Sequence, residues 1–256
     1  MRAGADPGFE ERMPLITARH SKTALALFHL YLLPAMQRQF HAVYLLGNEP
    51  AWPAHTPLII LPNHSSWWDG FFVDLLNIRL WQRQLYVMML EEQLRKRLFF
   101  RRLGVFSIDP ATPGGVRSSL RYTRELLQGE AAGRRVLCFF PQGELLPWQT
   151  RPLGYKPGLI WLLQHLEGPV CLVQLGIRIE FLQQQRPEVF LEFSRPLQWS
   201  GRPELLAEWE EGHAVLLDGL SRRIAAREEG RILLQGRHSV DARWQHWRGL
   251  LWRNAR

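Results

Sequence analysis

In the stretch LPNHSSWWDG, residues 61–70, a histidine stands five positions before an aspartate, at the end of an apolar run. A carboxylate bonded to one imidazole nitrogen fixes the tautomer and leaves the other nitrogen as an acceptor near neutral pH, which is what a general base requires. His64 and Asp69 are therefore the candidate pair. Spacing alone is a weak signal, because HAVLLD, starting at His213 and ending at Asp218, repeats it. Residues five apart on an α-helix point roughly 140° away from each other, and His213 lies in a stretch of helical spacing, so that pair is assigned to a helix surface or core edge. His64 instead follows Pro62 after a predicted strand, where the chain turns and starts a helix near Ser66 or Trp67. At such a corner the two side chains converge. The bland alternative is a histidine that caps the helix or satisfies a buried carbonyl.

The elements that must hold this corner follow from hydrophobic periodicity. Short apolar runs of β type, PLIIL (57–61), LYVMML (85–90), VLCFF (136–140), VCLVQLGIRIEF (170–181) and EVFLEF (188–193), alternate with longer amphipathic ones. WWDGFFVDLLNIRLW, EEQLRKRLFFRRLG, GVRSSLRYTRELLQG and KPGLIWLLQHLEG have helical spacing, and residues 203–231 form another helical stretch. Strands alternating with helices predict a single α/β domain, a mostly parallel central sheet flanked by helices, with an N-terminal amphipathic helical segment. No internal repeat, low-complexity tract or linker divides the chain.

Composition bounds the function. The chain has 256 residues and a formal net charge of +8, which suits nucleic acid, an anionic membrane or an acidic partner without choosing among them. Cys138 and Cys171 sit inside apolar runs, as small buried thiols rather than a disulfide framework or metal knuckle, and a reducing compartment follows. MRAGADPGFEER is read as lacking a secretory signal. The apolar run TALALFHLYLLPAM has 14 residues, short of the roughly 20 that span a bilayer. Flanked by Lys22 and Arg38, it fits a helix in a membrane interface or one packed on the core. Near the C-terminus, Trp244, Trp247 and Leu251 share one helical face with Arg243, Arg248 and Arg253 beside it. That pattern reads as an interfacial lipid anchor or a core-docked helix. It could also stack on bases, but no RNA-binding signature accompanies it. The divisions expected are a tail over 1–20, the main domain over 21–235 and a Trp/Arg-rich amphipathic segment over 236–256.

Further along, FPQGE (140–144) follows the strand VLCFF, and YKPG (155–158) opens the next helix. A Gly-containing turn after a parallel strand brings backbone N–H groups to the carboxyl edge of the sheet, where open α/β folds bind ligands. NHSSWWD, then GVFSID (104–109), then FPQGE, then the β-type stretch 170–181 resembles, in order, the four blocks of the glycerolipid acyltransferases, the PlsC-type lysophospholipid acyltransferases. The resemblance spans about residues 40–200. It implies that His64 is the general base acting on an acceptor hydroxyl and Asp69 its orienting carboxylate, with acyl-CoA or acyl carrier protein as donor and no metal or other cofactor. Gly143 resembles the glycine whose backbone approaches the acceptor. Arg151 and Lys156 are nearby cations that could hold an anionic group, and Gln142 and Glu144 stand in the same block.

This sequence also departs from the family pattern. Pro110 stands where the second block ends in Arg, Gln142 replaces the third block's Glu, Glu144 its Ser or Thr, and Gln174 the common Pro of the fourth block. In the family, the second-block Arg and third-block Glu help hold the acceptor's glycerol phosphate, so the catalytic half is intact while the acceptor-binding half has changed. A lipase lacks its G-x-S-x-G elbow here. A metal site would need a further ligand beyond His64 and Asp69, and Asp74, the next candidate, lies further along the predicted helix. The expectation is an enzyme moving a fatty acyl chain to a hydroxyl of a membrane lipid acceptor, lysophospholipid or glycolipid. It works peripherally at the cytoplasmic face of a membrane surface and takes no nucleic acid partner. The alternative is a catalytically inactive lipid-binding member of the same fold.

Overall fold

The computed structural model describes residues 15–237, so the Trp/Arg-rich face around Trp244 and Trp247 lies outside the described residues. The described chain runs α1 (Lys22–Gln39), β1 (Ala42–Leu46), β2 (Leu58–Pro62), α2 (Asp69–Leu76), β3 (Gln84–Leu90), α3 (Glu91–Lys96), β4 (Val105–Ile108), α4 (Pro113–Leu127), β5 (Arg135–Cys138), α5 (Gly158–Gln164), β6 (Cys171–Glu180), β7 (Glu188–Phe193), α6 (Leu205–Ala225) and β8 (Arg231–Gln235). The strands form one eight-stranded sheet in the order β4-β3-β5-β2-β6-β7-β1-β8. Only the β6–β7 and β1–β8 pairs are antiparallel; the others are parallel.

Central strands of such a sheet are covered on both faces, which is why their sequences are continuous apolar runs rather than alternating ones. All five residues of β2 are buried. Leu58 and Ile60 pack toward the helices α1 and α2 with Val136, Cys138, Val173 and Phe72, while Ile59 and Leu61 pack toward α4, α5 and α6 with Leu120, Leu159 and Leu217. Both cysteines are free thiols within this core. Burial pushes Cys138 well above the ordinary thiol range, and the negative charge of Asp69 adds to the effect.

Several elements differ from the sequence reading. β1, β4 and β8 were not expected as strands; pairing with β7, β3 and β1 decides their state. The helical stretch assigned to 203–231 ends earlier, since Arg231 already belongs to β8. Beyond Leu76, residues Asn77–Trp81 form a π-helical turn, and beyond α3, Leu98–Leu103 form a 3₁₀ segment, so the two long helical windows are each broken in the middle. α1 packs on the core along one face. Ala24, Leu32 and Met36 are buried, whereas Leu30 is 74% exposed and Leu27 and Tyr31 also face outward.

Candidate active site

Strand β2 brings the corner to the carboxyl edge of the sheet, between β5 and β6. After Pro62 the buried Asn63 extends the β2–β6 ladder with its side chain. Its Oδ1 accepts the Ile177 N–H at 2.7 Å, and its Nδ2 donates to the Ile177 carbonyl at 3.1 Å. The chain then turns through Ser65 and Ser66 into α2, whose first residue is Asp69. A carboxylate in the first turn of a helix is electrostatically favoured.

Asp69 is fully buried and every part of it is bonded. Its Oδ2 accepts the backbone N–H of Ser65 at 2.7 Å and of Ser66 at 2.8 Å, together with His64 Nδ1 at 2.9 Å. Its Oδ1 accepts the Ser66 hydroxyl at 2.7 Å. An ionised carboxylate only accepts, so the ring proton of neutral His64 sits on Nδ1 and the lone pair on Nε2. Among the described residues no hydrogen bond reaches Nε2, and the His64 side chain is 24% exposed. The ring lies against Phe140 with centroids 4.1 Å apart and planes at 27°. Two further bonds hold the main chain beneath it: His64 N–H donates to Gln142 Oε1 at 2.6 Å, and the His64 carbonyl accepts the Leu146 N–H at 2.9 Å. The loop after β5 therefore clamps the loop after β2. Such a unit presents a fixed, tautomer-selected imidazole at an open sheet edge, which can take a proton from a hydroxyl group and return it to a leaving group.

A family profile described as acyltransferase matches residues 45–175, just over half of the chain. The chain belongs to the acyltransferase family. A solved structure, the 1-acyl-sn-glycerophosphate (LPA) acyltransferase PlsC from Thermotoga maritima, is similar in fold, with a TM-score of 0.51 and 18% identity over 81% of this chain and 84% of that one. No curated protein matches the sequence. The matched span contains the strand β2, the His64–Asp69 corner and the loop after β5, so the acyltransferase assignment and the geometry concern the same part of the molecule.

The other candidate residues of this acyltransferase divide into groups. Gln142 is buried and its Oε1 accepts from the His64 main chain, so this side chain braces the loop that carries His64. Gly143 has φ +70°, and a Cβ there would lie 3.2 Å from Lys156 Cγ, so a glycine fits this turn best. Glu144 and Lys156 are both exposed and pair with each other at 3.1 Å. Arg151 points toward α6, where its guanidinium meets Asp218 at 2.8 Å and two backbone carbonyls, those of Trp148 and Thr150. Asp74, the candidate third metal ligand, pairs instead with His29 Nε2 at 2.9 Å, away from the His64–Asp69 pair. Pro110 precedes the start of α4, where Asp109 accepts from the Ala111 N–H and the Thr112 hydroxyl while Thr112 caps the helix.

Sequence reasoning missed Asn63, Phe140 as the stacking partner, and the bracing role of Gln142. A polar residue that follows an apolar strand and directly precedes the histidine was the one available signal, at Asn63. Trp148 was also missed: its Nε1 donates to the Ile177 carbonyl at 2.9 Å, and Arg178 stacks on its ring 3.5 Å from the centroid.

His213 is not at a helix surface or core edge, as its helical spacing suggested. It is fully buried on α6, its Nδ1 bonded to the Tyr155 hydroxyl at 2.6 Å and its Nε2 to the Leu175 carbonyl at 3.2 Å. Asp218, its apparent partner, instead pairs with Arg151. Burial lowers the His213 pKa from 6.5 to about 4, opposed by the Leu175 carbonyl and reinforced by Arg151. A depressed pKa in the folded state means that the unfolded chain binds a proton the folded chain refuses. Stability is therefore full above pH 6.5 and falls as pH drops toward 4, by roughly 3 kcal/mol from this group. Urea unfolding at pH 7, 5 and 4 is expected to show that loss in the parent and a shallower one in His213→Gln; equal slopes would remove His213 from the acid response.

Proposed function

We propose that the protein transfers a fatty acyl chain from a thioester of coenzyme A or acyl carrier protein to a hydroxyl of a lipid acceptor. The observation that carries this reading is the His64 Nδ1–Asp69 Oδ2 bond at 2.9 Å, with Nε2 turned to an open edge of the sheet in a chain of the acyltransferase family. In the proposed step Nε2 removes the proton of the acceptor hydroxyl as its oxygen attacks the thioester carbonyl carbon. The tetrahedral intermediate collapses, the C–S bond breaks, and the proton on Nε2 passes to the departing sulfur. Asp69 stabilises the transient imidazolium. Neither a metal nor another cofactor is required for these bond changes, and the phosphates of the donor would be drawn by the net charge of +8.

Acting at a membrane is supported by the outward face of α1, with Leu27, Leu30 and Tyr31 exposed. The location proposed is peripheral, at the cytoplasmic face; no described helix is long and apolar enough to cross a bilayer.

The acceptor proposed is a neutral or sugar-bearing hydroxyl lipid at least as readily as lysophosphatidic acid, the acceptor named for the Thermotoga maritima protein. Gln142 carries no charge and is turned to the main chain, Pro110 has no donor, and Arg151 and Lys156 already have carboxylate partners. A phosphate would have to displace Asp218 or Glu144. Losing one charge-assisted pair costs about 1.5–3 kcal/mol, or some 10- to 150-fold in affinity. Purified protein given an acyl thioester and both acceptor classes at equal concentration is expected to acylate the neutral lipid to a comparable extent, read by mass spectrometry. A hundredfold preference for lysophosphatidic acid, lost in Lys156→Ala, would overturn the neutral-acceptor reading. Absence of transfer to any acceptor would favour a lipid-binding member without catalysis.

A further inference from the structure

A concavity of about 480 Å³ lies apart from His64, lined by Arg19, Ser21, Leu98, Phe99, Arg101 and Arg102. Arg19, Arg101 and Arg102 line it together, and among the described residues no acidic side chain does. Among the described residues none of these three arginines joins an ion pair, whereas the nearby carboxylates Glu91 and Glu92 are already taken by Arg95 and Lys96. The frame is fixed by the main chain: Arg19 N–H donates to the Arg101 carbonyl at 2.7 Å, and Ser21 N–H to the Arg102 carbonyl at 2.9 Å. Arg101 gives its Nε to the Thr17 carbonyl at 3.3 Å, and a cluster of like charges without carboxylate partners repels itself and persists most comfortably beside an anion.

The rim of this concavity is apolar. Leu98 and Phe99 are about half exposed, and aromatic contacts run from them toward the catalytic corner: Phe99 meets Phe28 at 6.2 Å, Phe28 meets Phe71 at 5.9 Å, and Phe71 meets the exposed Trp67 at 4.7 Å. Leu27, Leu30 and Tyr31 face outward from the same helix as Phe28. Cations that bind phosphate bidentately, bordered by aliphatic and aromatic side chains, match the headgroup and upper acyl layers of a lipid surface. A site for a free nucleotide or phosphate gains nothing from a solvent-facing Leu98, Phe99, Leu30 and Tyr31.

We infer that Arg19, Arg101 and Arg102 form a binding site for the phosphate headgroup of an anionic bilayer lipid, separate from the acceptor site, which docks the protein with Trp67 and the His64 edge turned toward the membrane. This rests on the reading of a membrane lipid acceptor. It adds the chemical class of the docking lipid and the residues that take it.

The test is flotation of the full chain with phosphatidylcholine vesicles, with and without phosphatidylglycerol. Arg19 and Arg102 are exposed, so replacing both by Gln leaves the fold intact, which thermal unfolding checks. Each basic residue at an anionic surface contributes about fivefold in partitioning, so R19Q/R102Q is expected to bind phosphatidylglycerol vesicles roughly 25-fold more weakly than the parent. The control R117Q/R121Q removes the same charge from α4, on the opposite side of the sheet, and is expected to bind like the parent. Equal weakening in both double variants would show that net charge alone attracts the protein and would overturn the site. So would a parent with no preference for phosphatidylglycerol, or one released from vesicles by millimolar inorganic phosphate, which would make this a free-phosphate site. Transfer from a soluble thioester to a short-chain acceptor is expected to be equal in R19Q/R102Q and parent. If that transfer is absent in both while vesicle binding behaves as stated, the catalytic reading fails and the docking site stands.

Discussion

His64→Ala is expected to lower acyl transfer by about 10²–10⁴-fold, the contribution of a positioned general base, while leaving the unfolding transition in place. The fold survives because the bonds that anchor this loop use the His64 main chain: its N–H on Gln142 and its carbonyl on Leu146 are both kept by alanine. Asp69 loses one donor of four and remains satisfied by Ser65, Ser66 and the Ser66 hydroxyl. The control is the other histidine with the same spacing. His213→Ala leaves the Tyr155 hydroxyl without its ring partner in a dry core, which costs about 1–3 kcal/mol of stability, and it removes nothing from the sheet edge. Measured side by side, one variant is expected to be folded and inactive, the other destabilised and active per folded molecule. Full activity in His64→Ala would remove the general base from the mechanism.

That contrast also shows how far sequence reading reaches. An α/β domain, a mainly parallel sheet and the convergence of His64 and Asp69 were legible because they depend on neighbours in sequence: an apolar strand, Pro62, and a helix start five residues on. What supports the pair was not, because it comes from strands that only the order β5-β2-β6 sets side by side. Gln142 is 78 residues from His64, and Ile177 is 114 from Asn63. His213 failed for a related reason. Helical spacing says which residues share a face, but a polar side chain tolerates full burial only when partners wait there, and its partners Tyr155 and Leu175 come from other elements. Arg151 was taken for a free cation because its partner Asp218 lies 67 residues away on α6.

The surroundings of Asp69 make the neutral replacement informative. In a His–Asp pair whose carboxylate has no other strong partner, an asparagine can turn its amide N–H₂ toward the ring and select the wrong tautomer. Here Oδ2 also faces two backbone N–H groups, from Ser65 and Ser66, which no amide N–H₂ can satisfy. In Asp69→Asn the amide oxygen is therefore held in the Oδ2 position, where it still accepts from His64 Nδ1, and the N–H₂ faces the Ser66 hydroxyl, which accepts from it. Tautomer and geometry are kept while the negative charge that stabilises the imidazolium is lost. The expected fall in kcat is the value of one charge-assisted bond, about 1.5–3 kcal/mol or roughly 10- to 150-fold, with the thermal transition close to that of the parent. Asp69→Ala differs, because it leaves two partly buried backbone donors without their carboxylate, at up to about 1–3 kcal/mol each, so the corner loses both its shape and its activity. The pair is compared by kcat on one thioester and one acceptor, together with thermal unfolding. If Asp69→Asn is as inactive and as unstable as Asp69→Ala, the backbone donors do not orient the amide. If it is as active as the parent, the charge on Asp69 has no part in the proton transfer.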